Sequence, residues 1–135
     1  MTTDLSTKLD VEFDEAVERT TQALAEQGFG VLTTIDVAAT LKKKLGKDME
    51  KYLILGACNP GLAHKALDID RQLGQFLPCN VVVRADPAGG VLVEAMDPQV
   101  MVQFADQADA LQAVADEAAA KLHAAIEQLH HTASA

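Results

Sequence analysis

The stretch "CNVVVRADPAGGVLVEAMD", residues 79–97, decides the fold. Two valine-rich runs flank Asp86-Pro87-Ala88-Gly89-Gly90, a set of turn residues, and the pattern predicts a β-hairpin. The elements before it alternate between helix and strand. "KYLILGA", residues 51–57, is a strand without polar alternation, so it is expected to be central or buried on both faces. "FGVLTTID", residues 29–36, reads as another strand because β-branched residues dominate it.

The helices carry their own boundary marks. Over residues 12–27, Phe13, Ala16, Val17, Thr20 and Leu24 form one stripe of a 3.6-residue period. Gly28 stands where a C′ glycine belongs, and Phe29 can fold back on Leu24 in a Schellman ending. Asp36 can cap a second helix to about Leu45, with Val37, Ala38, Leu41 and Leu45 inward and Lys42, Lys43 and Lys44 outward near its negative end. Gly46 stops it. Asn59 can cap a third helix whose first position is Pro60, where the missing N–H costs nothing; its apolar set is Leu62, Ala63, Ala66, Ile69 and Leu73. Asp97-Pro98 repeats that start for a short helix to about Phe104.

The last helix, about residues 107–130, places Leu111, Ala115, Ala118, Leu122, Ala125 and Leu129 at heptad spacing. That stripe suits a helix lying across the sheet, and part of it could instead meet a partner subunit. With an initial strand in "DLSTKL", the chain is expected to be one α+β domain over residues 1–135, its tail frayed from about 130. The expected sheet is mixed, of four to five strands, with helices mainly on one face.

Composition narrows the function. The 135 residues are 49% hydrophobic and 23% charged, which is globular rather than disordered. Twenty acidic residues against eleven basic give a net charge of −9, and the only basic run is Lys42–Lys44 with Lys47 near it. Nucleic acids and anionic membranes, which are held through basic patches, are not expected partners. The first residues show no secretory signal, and no apolar run approaches a membrane span. A cytoplasmic setting follows, in which Cys58 and Cys79 are free thiols.

Cys58 ends the strand, one residue before the Asn59 cap, and a helix N-terminus stabilises a thiolate. Cys79 opens the hairpin. If the two strands are neighbours, both thiols lie at one end of the sheet, and Cys58, Asn59 and Cys79 form the candidate site. His64 projects away from the apolar face of its helix and His123 lies at the border of its stripe. No histidine shares metal-ligand spacing with a cysteine, so neither a metal site nor a cofactor is expected. Asp14-Glu15, Asp68/Asp70 and Asp116-Glu117 read as solvated surface. There is no nucleophile elbow and no phosphate loop.

"GFGVLTTIDV", "LKKKLGKDMEKYLILGACNPGLAHKAL", "LGQFLPCNVVV" and "VLVEAMDP" together resemble the bacterial and archaeal family called domain of unknown function 302. The resemblance runs from about Phe13 to Leu129, and Cys58, Asn59, Pro60, Pro78 and Cys79 match the family's motif positions. It implies a small α+β domain of the kind called TT-1751-like, often a dimer, with no catalytic assignment to carry over. The polar N-terminus departs from the family's leading strand.

The expected protein is a cytoplasmic homodimer, a binding or accessory module rather than an enzyme, and three functions are weighed. One is a binding or accessory module for a small molecule or protein, which requires a concave pocket beside the "CNP" turn. Another is thiol or persulfide chemistry at Cys58 with Cys79 as resolving partner. The last is a purely structural homodimer, which requires both thiols to be fully buried.

Overall fold

Five strands lie side by side in the order β1-β5-β4-β3-β2, where β1 is Ser6–Leu9, β2 Gly30–Asp36, β3 Tyr52–Cys58, β4 Cys79–Ala85 and β5 Val91–Ala95. The computed structural model describes residues 5–133, with side chains to residue 130. The helices are α1 (Phe13–Glu26), α2 (Val37–Leu45), α3 (Pro60–Ile69), α4 (Gln99–Phe104) and α5 (Ala108–Ala133). The α+β class, the hairpin and the initial strand agree with the sequence reading.

The sheet is antiparallel at every pairing, which corrects the expected mixed sheet. The reason lies in the connections. α2 begins directly after β2, and its nine residues rise only about 14 Å. It turns the chain round at the end of the sheet instead of carrying it back along a seven-residue strand. α3 does the same between β3 and β4. Strands β2 to β5 thus form a meander, and β1 pairs with β5 on the far edge.

Local chemistry sets the element ends as expected. Phe29 N donates to Leu24 O at 2.9 Å and Gly28 N to Ala25 O at 3.0 Å, the two bonds of a Schellman motif. Gly28 has φ +84°, a conformation that side chains with a Cβ resist. Asp36 accepts from Ala39 N at 2.9 Å, and Gly46 closes α2 at φ +68°. The hairpin turn is closed by Gly89 N donating to Asp86 O at 2.8 Å.

One face of the sheet carries the main core. Leu55, Ala57, Val81, Val83, Val91 and Val93 alternate inward to meet α1 and α5. All six stripe residues of α5 are buried, from 0% to 4% exposed, so the stripe is used within the chain and not by a partner subunit. α5 also runs on to Ala133, past the point where fraying was expected; residues 134–135 lie outside the described residues. A second, smaller core forms where α3, α4 and α5 meet, built from Leu62, Ala66, Leu73, Met101, Leu111 and Val114 with Ala118.

Three further expectations change. α3 stops at Ile69, and Leu73 belongs to a 3-10 turn, Arg71–Phe76, capped by Asp70 through Gln72 N at 2.9 Å. α2 buries no residue fully, and Leu45 is 66% exposed, not inward. β3 is covered on one face only: Tyr52 and Ile54 are half-buried on the other. That bare face continues over Val82 and Leu92 to Ile35, which is 48% exposed. A bulge between Val31 and Thr33 pushes Leu32 outward, 70% exposed.

Candidate functional site

Cys79, the first residue of β4, pairs directly with Ala57 across β3. Both belong to the helix-covered side of the sheet. Cys58 is the next residue along and ends β3, where the chain leaves the sheet for α3. Register and strand spacing put the Cα atoms of Cys58 and Cys79 about 6 Å apart. Both are free thiols, and the sequence expectation that they share one sheet end is met.

Asn59 holds this corner. Its Oδ1 accepts from Leu62 N at 3.3 Å, capping α3, and its Nδ2 donates to the Gln27 carbonyl at 3.4 Å, at the end of α1. Gly56 fits the same corner from the other side of the strand: a Cβ there would stand 2.6 Å from Thr33 Cγ2 and 2.9 Å from Pro78 Cγ. Any larger residue would displace β2 or the Leu77-Pro78 segment, whose peptide bond is cis.

The two cores leave a gap where they join. Ala57 and Phe29 of the main core face Leu62, Ala66, Met101 and Val114 of the smaller one, and Cys58, Asn59 and Cys79 complete the wall. The cavity is about 30 Å³ and almost wholly apolar. That is room for a water molecule or a single ion, well below the size of sites for organic ligands. No histidine, carboxylate, lysine or arginine borders it. A wider hollow of about 570 Å³ lies beside Asp10–Phe13 and Gly90, but it is open to solvent and gathers carboxylates without a thiol.

The thiols differ in setting. Cys79 is 6% exposed, while Cys58 is half-buried. Burial pushes the Cys79 thiol up from its ordinary value of 9.0 to about 11, and the charge of Cys58 adds to the shift. Both cysteines line the cavity, Cys79 buried and Cys58 half-buried.

His64 is outside this constellation. Its side chain is 77% exposed and lies 3.6 Å from Asp68, as its position opposite the apolar face implied. His123, half exposed, faces Glu127 at 3.9 Å. Among the described residues no three of His, Cys, Asp and Glu come together as a metal cluster. The sequence reading missed Met101, which is 2% exposed and lines the cavity. It lies on the short helix expected after Asp97-Pro98. Nothing local signalled that α4 would bring it to the thiols.

Comparison with known proteins agrees with the geometry. A solved structure, described as an uncharacterized conserved protein DUF302 from Bacillus stearothermophilus, is similar to this chain with a TM-score of 0.82 and 29% identity. The match covers 91% of this chain and 94% of that one. No curated protein matches. The family model described as domain of unknown function DUF302 matches residues 5–129. The chain belongs to the DUF302 family, a domain of unknown function.

Proposed function

We propose that this protein is a binding module whose site is the thiol-lined cavity under the Asn59 cap. The observation that carries the reading is the wall itself: two free cysteines are among the residues lining one apolar cavity, and no acid or base is. A thiol enzyme that works by general acid–base catalysis needs a neighbouring side chain to take and return protons, and none lines this space. The purely structural reading asked for two fully buried thiols, and Cys58 is only half-buried. A pocket beside the "CNP" turn, which the binding reading required, is present.

The reading includes a homodimer formed through the bare sheet face. Ile35, Ile54 and Val82 stand in register across β2, β3 and β4, next to a two-bonded Arg84–Glu94 pair at 2.7 and 3.3 Å. A flat apolar row beside a charge pair that is already satisfied suits a two-fold contact with its own copy. The reading also places the protein in the cytoplasm, where thiols stay reduced. No helix among the described residues is long and apolar enough to cross a membrane.

The test is modification with methyl methanethiosulfonate, a small thiol reagent, followed by NMR of the methyl groups. We expect one methylthio adduct on Cys58, with shifts at Leu62, Met101 and Val114. No adduct in the folded state, or an adduct that leaves those methyls unmoved, would overturn the reading.

A further inference from the structure

We propose that the cavity is a site for a soft monovalent metal ion of the copper(I) class, held by the sulfurs of Cys58, Cys79 and Met101. The inference rests on the binding-module reading and names its guest. All three sulfur residues border the same cavity, with Met101 2% exposed and Cys79 6% exposed. A volume of about 30 Å³ admits one ion and no organic molecule.

The ligand chemistry selects the ion. Thiolate donors suit copper(I), zinc and iron–sulfur clusters, and a thioether beside them turns the preference toward copper(I), whereas carboxylate suits magnesium, calcium or manganese. The cavity wall supplies sulfur and no imidazole or carboxylate. Two thiolates and a thioether make a three-coordinate set, too few donors for the four-coordinate shell that structural zinc sites use. The apolar wall, contributed by Phe29, Leu62 and Val114, excludes water that would otherwise compete for the ion.

Charge also balances. Binding releases one proton from each thiol, so one copper(I) and two thiolates leave a single net negative charge. That charge lies at the N-terminus of α3, a ten-residue helix whose positive end begins at Pro60 beside Cys58. No electron moves: the metal enters and leaves as copper(I). The half-buried Cys58 gives the entry point, since an incoming ion can meet one thiolate at the surface before reaching the buried pair.

The experiment is an anaerobic copper(I) titration of the full chain against bicinchoninate, with zinc(II) as the comparison ion. We expect one copper(I) per chain and no competing zinc binding at the same site. Cys58→Ser should abolish stoichiometric binding, as should Cys79→Ala. Met101→Leu should weaken it by roughly 10- to 100-fold, as loss of a supporting donor does. Cys58 is half-buried and at a strand end, so its serine variant keeps the test open if the Cys79 variant fails to fold. Equal copper(I) binding by wild type and Cys58→Ser, or no binding by wild type, would overturn the proposal. If methyl methanethiosulfonate still modifies Cys58 and moves the cavity methyls while copper(I) does not bind, the metal falls and the binding-module reading stands.

Discussion

Gly28 and Asn59 are packed so closely that a Cβ on Gly28 would stand 3.1 Å from Nδ2 of Asn59. The same amide reaches the Gln27 carbonyl, so the end of α1 is tied to the start of α3. Asn59→Ala removes both the cap and this tie, and we expect a loss of about 1–2 kcal/mol in urea unfolding. Gly28→Ala forces a Cβ into a left-handed position and against that amide, with an expected cost of about 1–2 kcal/mol. The double variant should lose less than the sum, because both changes break one joint.

Cys79 makes stability depend on alkaline pH. Below pH 9 both folded and unfolded chains keep its proton, and the contribution is complete. Between pH 9 and about 11 the unfolded chain releases the proton while the folded one holds it. Stability should fall by roughly 2–3 kcal/mol across that window. Unfolding curves of Cys79→Val, which has no thiol to ionise, should lack this part of the decline.

The bare sheet face predicts an association that a single charge breaks. Ile35→Glu places a carboxylate in the apolar row without touching the core. Sedimentation should report a dimer for the natural chain and a monomer for the variant, with unchanged circular dichroism. A monomer in both cases would remove the dimer from the account.

Much of the fold was legible because local chemistry and global packing agree. Gly28-Phe29, Asp36 and Asn59-Pro60 each mark an end through bonds within a few residues, and those bonds form. The α5 stripe was legible because one periodic face meets one large surface. Strand direction was not, because a helix between two strands is compatible with a crossover or with a turn at the sheet end. Leu45 was misplaced for a related reason: apolar periodicity shows which face is apolar, not whether anything within the chain covers it. The candidate site was half legible. Cys58, Asn59 and Cys79 were placed by sequence, but Met101 and the cavity arise from the way α3, α4 and α5 meet.

The central claim is that half-buried Cys58 and buried Cys79 line one cavity. Native-state alkylation with iodoacetamide, resolved by peptide mass spectrometry, measures it directly. The account predicts that Cys58 is modified in the folded protein while Cys79 reacts only after unfolding in guanidinium. Equal native rates at the two thiols, or complete protection of Cys58, would contradict it.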